Sequence, residues 1–135
     1  MKTIRWIALP ILALAAMTLF FGCSLSSTSI KDRINDFFDS LNGADRSGTY
    51  KNLQPGTSAY SLADNGFWHI AFPEGNEPYS YASLDTTNAS AVTMTINDTA
   101  GFYGAYTFVM VNIGSSSSEN WVISDIQTAG GTIFH

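Results

Sequence analysis

The sequence predicts an α+β domain in which an N-terminal amphipathic helix packs on an antiparallel sheet. Apolar residues recur every three or four positions after residue 29, which is the period of a helix face. Several segments after Pro78 alternate apolar and polar residues, which is the period of a strand. Because the helical pattern comes first and the strands follow together, the chain favours a helix-on-sheet arrangement over alternating strands and helices.

The first predicted helix has an apolar face and clear end signals. Ser29 can cap its first turn, with Asp32 three residues further on, and Asn42-Gly43 is a candidate left-handed stop. The apolar face consists of Ile30, Ile34, Phe37, Phe38 and Leu41. Such a face needs a sheet on which to pack.

The middle of the chain is less regular. We expect a short second helix capped by Asp45, a break at Pro55-Gly56 and a further helical turn over residues 58–63. Asn65-Gly66 indicates a turn, and residues 73–78 indicate a loop. The apolar run between them, residues 67–72, is too short to assign by periodicity.

Four strands are predicted after Pro78, over residues 79–85, 90–97, 105–113 and 120–128. In the second, Val92, Met94 and Ile96 share one face. The third is apolar on both faces, which is expected for a strand covered on each side or central in the sheet.

The order of these elements, ending in the strand Trp121-Val122-Ile123-Ser124-Asp125-Ile126, resembles the NTF2-like family and its small bacterial lipoprotein members over residues 30–128. The resemblance implies a strongly curved sheet that wraps around the first helix as a cone with an apolar cavity. Family members include isomerases, dehydratases, ligand binders and assembly modules, so the implied fold does not define the function. The alternatives are a generic helix-on-sheet sandwich and a cystatin-like arrangement.

The first 22 residues have the layout of an export signal. Lys2 and Arg5 precede a largely apolar run from Ile7 to Phe21, as in a signal peptide. A membrane-spanning helix needs about 20 apolar residues, so this run falls at or below the short limit. An uncleaved anchor is the alternative.

The end of that segment, Leu19-Phe20-Phe21-Gly22-Cys23, resembles a lipobox, although Phe20 stands where Leu is usual. The resemblance implies removal of residues 1–22 and lipidation of Cys23, with residues 23–29 as a short tether and 30–135 as one domain. Cys23 is the sole cysteine, so it cannot form an internal disulfide, and its alternative role is a small apolar side chain or a free thiol. Ser24 after the cysteine favours the outer membrane in a double-membraned bacterium.

Charge and composition exclude several functions. Without residues 1–22, the chain has eleven acidic residues and four basic ones, which gives a formal net charge of about −7. The basic residues are Lys31, Arg33, Arg46 and Lys51. This balance argues against nucleic-acid binding and against electrostatic adhesion to anionic lipid, so the acyl group would be the only membrane attachment. Two histidines and one cysteine do not form a usual zinc site, and phosphate-binding and dinucleotide-binding motifs are missing, so no metal or cofactor is predicted.

Two residues are candidate catalytic groups. His69 lies in an apolar aromatic run, where it would be either a general base or a structural side chain bonded to backbone. Strict alternation would place Asp125 on the face of Trp121 and Ile123, where burial would raise its pKa, whereas a bulge would direct it to solvent. Trp68, Tyr106 and Trp121 are candidate ligand-binding aromatics, with core packing as the alternative.

The sequence therefore favours a non-catalytic cell-envelope lipoprotein that binds a small apolar ligand or an envelope protein. The alternative is a cofactor-free lyase or isomerase of NTF2-like type that uses Asp125 or His69.

Overall fold

The computed structural model describes residues 28–44, 46–66 and 68–134, and for Trp68 and His69 the backbone only. The predicted signal peptide, Cys23 and the Asp45 cap lie outside the described residues. The elements are α1 (Ile30–Asn42), a 3-10 helix (Arg46–Asn52), α2 (Ser58–Asp64), α3 (Trp68–Ala71), β1 (Ser80–Asp85), β2 (Ala91–Asp98), β3 (Gly101–Asn112), β4 (Trp121–Thr128) and β5 (Gly131–Thr132). Among them, no helix has the length and apolar character to cross a membrane.

The five strands form one antiparallel sheet in the order β1-β2-β3-β4-β5, with helices packed on it. The predicted α+β class and helix-on-sheet arrangement are confirmed. Register shifts interrupt the pairing of β2 with β3 at Ile96/Asn97 and of β3 with β4 at Val109/Met110. Because bulges of this kind bend a strand and increase its twist, they account for the curvature of the sheet.

Helix α1 begins as predicted. Ser29 Oγ accepts a hydrogen bond from the Asp32 backbone N–H at 3.1 Å, and Asp32 Oδ2 accepts one from the Ser29 N–H at 3.3 Å. These reciprocal bonds form a capping box. Four of the five predicted apolar residues of this helix are buried, and Ile30 is partly buried.

The predicted left-handed stop at Asn42-Gly43 is wrong, because Gly43 is extended at φ −73° and ψ 162°. The Gly43 N–H donates to the Ser40 carbonyl at 3.2 Å, so a tightened last turn satisfies this carbonyl without a left-handed residue. The Asn42 side chain then accepts from the Tyr79 N–H at 2.8 Å and donates to the Tyr79 carbonyl at 2.7 Å. The end of α1 is thereby bound to the chain just before β1.

Aromatic rings occupy the space between α1 and the sheet, where the family resemblance implied an apolar cavity. The Phe37 ring meets the Phe108 ring edge-on at 5.2 Å and the Phe72 ring at 6.1 Å between centroids. All three side chains are fully buried. Edge-to-face aromatic pairs of this kind stabilise a core beyond their buried area.

Arg33 ties α1 to the start of β4. Its Nε donates to the Trp121 carbonyl at 2.7 Å, while Nη1 and Nη2 donate to the side-chain oxygens of Asn52 and Asn120 at 3.2 Å each. Thr28 is also bound to this part of the chain. Its N–H donates a hydrogen bond to the Glu119 carbonyl, and its carbonyl accepts one from the Trp121 N–H. The N-terminal side of the domain is therefore fixed at the first residue of β4.

We predict that Phe37→Ala lowers the free energy of unfolding by about 3–5 kcal/mol, because the ring is fully buried and its removal leaves a cavity. Urea unfolding followed by circular dichroism measures the change. Phe102→Ala is the control, since Phe102 is 70% exposed, and its effect should stay within about 0.5 kcal/mol. Similar losses for the two variants would contradict this description of the core.

Candidate functional site

The candidate site is an open apolar groove of about 600 Å³ between the short helices and the end of the sheet. One wall comes from α2 and α3, and the other from the end of β4, the β4–β5 turn, β5 and the residue that follows it. Its lining residues are Leu62, Ile70, Ala71, Thr128, Gly130, Thr132 and Ile133. Ile70 is 76% exposed and Leu62 37% exposed, so two large apolar side chains meet solvent at this groove.

Helix α3 is only four residues long, and side chains from the core hold its C-terminal end. Three successive carbonyls accept hydrogen bonds: that of Ala71 from the Tyr103 hydroxyl, that of Phe72 from Arg46 Nη2 at 2.6 Å, and that of Pro73 from the Tyr79 hydroxyl at 3.0 Å. Ala71 is the last residue of α3, and Phe72 and Pro73 follow it. Carbonyls at the end of a helix have no partner within it, so these donors complete their bonding. They thereby fix the backbone next to Ile70, which directly precedes Ala71.

The Arg46 guanidinium is buried and its charge is balanced locally. Nη1 lies 3.0 Å from Glu77 Oε1, and the guanidinium carbon lies 6.0 Å from the centre of the Tyr79 ring. Hydrogen bonds from the backbone N–H groups of Glu77 and Gly75, together with the Arg46 charge, hold the pKa of Glu77 below its usual value. Glu77 is therefore ionised at neutral pH and neutralises the buried arginine.

Tyrosine rings surround Phe72 beneath the groove. Tyr103 and Tyr106 stack in parallel at 6.1 Å, and Tyr79 meets Tyr103 edge-on at 5.5 Å. Burial, reinforced by the neighbouring Tyr103 phenol, raises the pKa of Tyr79 to about 12 and that of Tyr106 further. These phenols stay protonated at neutral pH, so Tyr79 can donate to the Pro73 carbonyl.

The other wall is fixed through Asp125. Its carboxylate accepts hydrogen bonds from the Ile126 N–H at 2.9 Å, from Gln127 Nε2 at 2.9 Å and from the Thr132 hydroxyl at 2.5 Å. The Ile133 N–H donates to the Ile126 carbonyl at 2.9 Å. Strand β5 and the residue that follows it are thus held against β4, and Thr132 and Ile133 take defined places in the groove.

The alternation that would align Asp125 with Ile123 does not hold. Met110 pairs with Ile123, but the next register position pairs Val109 with Asp125, so Ser124 is the extra residue of a bulge. Ile126 pairs with Phe108 and is buried, whereas Asp125 is half-buried and does not line the groove. The bulge places an aliphatic residue in the core at the position where strict alternation predicts a carboxylate.

The remaining candidate residues are dispersed. Tyr106 lines a separate hollow of about 380 Å³, and Trp121 lines another of about 350 Å³ at the opposite end of β4. Trp121 Nε1 donates to Glu119 Oε2 at 3.1 Å. His69 and Trp68 belong by backbone to α3, but their side chains are outside what the structure describes.

No cluster of three or more potential metal ligands occurs among the described residues. No protein-family model, curated protein or solved structure matches the chain.

The residues that define the groove were not candidates in the sequence. Ile70 lies in the run that periodicity left unassigned, Leu62 in the weakly patterned middle region and Ile133 in the apolar tail. The available signal was a large apolar residue close to turn residues, as at Asn65-Gly66 and Gly130-Gly131. That signal also fits ordinary core residues, so it does not single out a surface site.

We predict that stability falls as the pH rises from 10 toward 12. The pKa of Tyr79 is raised from 10.0 to about 12 in the folded protein, so the stabilisation by its neutral phenol is complete below pH 10 and is lost above it. Tyr79→Phe should cost about 1 kcal/mol at neutral pH through the lost hydroxyl bond, and should make the alkaline decline shallower. Urea unfolding at pH 8, 10 and 11 measures both effects, and equal alkaline slopes for the two proteins would contradict the assignment.

Proposed function

We propose that the protein is a non-catalytic, lipid-anchored protein of the cell envelope, and that the groove formed by Leu62, Ile70 and Ile133 binds a partner protein. The observation that supports this most is the exposure of Ile70 at 76% beside an open apolar groove. Large exposed apolar side chains beside one another are costly in water and are typical of interaction sites.

A protein partner fits the groove better than a small enclosed ligand. Sites for small molecules bury most of the ligand surface, but this groove lies at the surface and the interior is occupied by the Phe37, Phe72 and Phe108 rings. A side chain of a partner can enter an open groove while the rest of the partner covers its rim. A small apolar molecule is the competing occupant of the groove.

The proposed anchor is Cys23, on the evidence of its lipobox-like setting. Thr28 is bound to the first residue of β4, and five residue steps from Cys23 span at most about 17 Å. Two or three acyl chains on this residue would hold stably, since each buried CH₂ contributes about 0.8 kcal/mol. The domain would then sit close to the bilayer with the start of β4 nearest to it.

For the domain itself we propose a compact NTF2-like fold. In its support, α1 comes first, the short helices follow, and the antiparallel strands come last, with the Trp121 strand followed only by the two-residue β5. Ring packing would close the cone that this family resemblance implies.

The engagement of Asp125 favours binding over catalysis. Its carboxylate accepts two hydrogen bonds within β4 and one from the Thr132 hydroxyl of β5, so proton abstraction by this group would disturb the bond that holds Thr132 in the wall of the groove. A structural role accounts for this carboxylate without any reaction.

We predict that Cys23 is lipidated in cells. Radiolabelled palmitate should label the wild-type chain and not Cys23→Ala, because the thiol is the acceptor. The wild-type protein should sediment with membranes, and its mature form should begin at residue 23 by mass spectrometry. Equal labelling of both chains would refute the anchor and would leave the groove proposal standing.

We predict that the groove contacts a protein in the envelope. A photoactivatable benzoylphenylalanine at position 70 should give one discrete cross-linked protein product in intact cells. The same probe at position 102 should not, although Phe102 is also 70% exposed. Leu62→Ser with Ile133→Ser should weaken the product from position 70 at least fivefold, since both side chains line the groove.

Equal cross-linking from positions 70 and 102 would contradict the groove as the binding site. Cross-linking from position 70 to phospholipid alone would replace the protein partner with a small apolar molecule.

A further inference from the structure

We infer that the hollow beside Trp121 binds the headgroup of a zwitterionic phospholipid in the membrane that carries the anchor. This inference rests on the lipid anchor of the proposed function, and it adds a second contact between the domain and the same bilayer. Its support comes from the side chains that line the hollow and from the place where the tether joins the domain.

The tether joins the domain at the edge of this hollow. The Thr28 N–H donates to the Glu119 carbonyl at 2.9 Å, and the Trp121 N–H donates to the Thr28 carbonyl at 3.1 Å. Glu119 and Trp121 both line the hollow, as does Ser29, the residue after Thr28. Because five residue steps from Cys23 span at most about 17 Å, a lipidated Cys23 would hold Thr28 and the hollow close to the lipid headgroups.

The hollow presents one cation, one carboxylate and one indole. Its volume is about 350 Å³, and Lys31, Glu119 and Trp121 line it. Lys31 and Glu119 are exposed, and Trp121 is half-buried. In the part of the chain that the structure describes, neither Lys31 nor Glu119 forms a salt bridge. The other lining residues are uncharged: Ser29, Ile30, Thr86 and Ala89.

A zwitterionic headgroup carries the complementary groups next to each other. Its phosphate can accept hydrogen bonds from the Lys31 ammonium. Its own ammonium can approach the Glu119 carboxylate and the face of the Trp121 ring, which attracts cations. Trp121 Nε1 donates to Glu119 Oε2 at 3.1 Å, so the indole and the carboxylate are already held together. The two charges of the headgroup would therefore each meet a side chain of opposite charge.

The tether makes even a weak site sufficient. A short flexible link to a second binding site raises the effective concentration of that site to the millimolar range. The headgroups around a lipidated Cys23 would be held beside the hollow in this way. The hollow can therefore be occupied in the membrane although its affinity for a free headgroup is low.

An exposed aliphatic side chain lies at the same end of the domain. Ile113 is 47% exposed, and its N–H donates to the carbonyl of Asn120, the residue between Glu119 and Trp121, at 2.9 Å. The connection from Ile113 to Ser118 carries no charge. Ile113 can therefore enter the headgroup layer without the burial of a charge, which would be costly.

The charge of the domain disfavours anionic lipid as the occupant. The mature chain would carry a formal net charge of about −7, so an anionic bilayer would repel it. A headgroup without an ammonium would also leave Glu119 without a partner. Contact at the Trp121 end would direct the groove away from the membrane, because Thr128 lies about seven residue steps or 23 Å further along β4.

The test uses the lipidated chain in phosphatidylcholine nanodiscs that contain a phosphatidylcholine with a nitroxide near the headgroup. Cys23 is the sole cysteine and would be occupied by lipid, so Ile113→Cys and Phe102→Cys each provide one thiol for a fluorophore. Both positions are exposed, and they lie at opposite ends of β3. The nitroxide should quench the fluorophore at position 113 about threefold more strongly than the one at position 102, because the tether holds the Trp121 end at the bilayer.

A matched pair of charge variants tests the hollow itself. Lys31→Gln with Glu119→Gln should lower the quenching at position 113 about twofold, since both charges that meet the headgroup are lost. Glutamine still offers an oxygen to the Trp121 indole. Lys51→Gln with Asp64→Asn also removes one exposed cation and one exposed carboxylate, both near Tyr60 of α2, and should leave the quenching unchanged. Phosphatidylglycerol nanodiscs should give weaker quenching at position 113 than phosphatidylcholine.

Co-elution of the chain with the nanodiscs tests the anchor separately. A chain that co-elutes but is quenched equally at positions 113 and 102 would keep the anchor and overturn the inference. Quenching at position 113 that the Lys31 and Glu119 changes leave unaltered, or that is stronger in phosphatidylglycerol, would exclude the hollow as a site for a zwitterionic headgroup. A chain that does not co-elute would refute the anchor and this membrane contact together, and the groove would still be decided by cross-linking at position 70.

Discussion

The groove depends on the hydrogen bonds to three successive carbonyls at the end of α3. A four-residue helix has little stability of its own, because nucleating a helix costs more than one turn returns. Tyr103, Arg46 and Tyr79 donate to these carbonyls from three different parts of the fold. Each donor is itself constrained, with the two phenols packed in the aromatic cluster and Arg46 paired with Glu77. An exposed side chain such as Ile70 can therefore hold a fixed position even though it contributes little to the core.

Strand β4 connects the two ends of the domain that the proposals require. At its start, Arg33 and Thr28 bond to Trp121, and at its end Thr128 pairs with Gly131 beside the groove. A paired strand is a stiff element, so the end of the domain that holds Thr28 and the groove keep a constant separation. In the proposed function, anchoring and binding would take place at opposite ends of one strand, so neither would interfere with the other.

The sequence predicted the helices and strands that bury one apolar face, because the spacing of their apolar residues reveals the type of element. Helix α1 and strand β2 bury their apolar residues at regular spacing, so their positions follow from Ile34, Phe37, Val92 and Ile96. The sequence did not predict the irregularities in strand register. The Ser124 bulge, for example, depends on how β3 and β4 pair and not on either strand alone. Helix α3 was not predicted either, since its stability comes from Tyr103 and Arg46, which are distant from it in sequence. The groove combines both kinds of feature, so none of its residues was a candidate.

The filled interior explains why an interaction site would lie at the rim of this domain. Phe37, Phe72 and Phe108 occupy the space beneath the curved sheet, and removing any of these rings would cost several kcal/mol. A small domain buries a smaller fraction of its surface on folding than a large one, so an internal ligand cavity would compete directly with the core. A groove between secondary-structure ends avoids that conflict. It adds exposed apolar area at Ile70 and Leu62, and the burial of that area on binding a partner would supply the driving force for association.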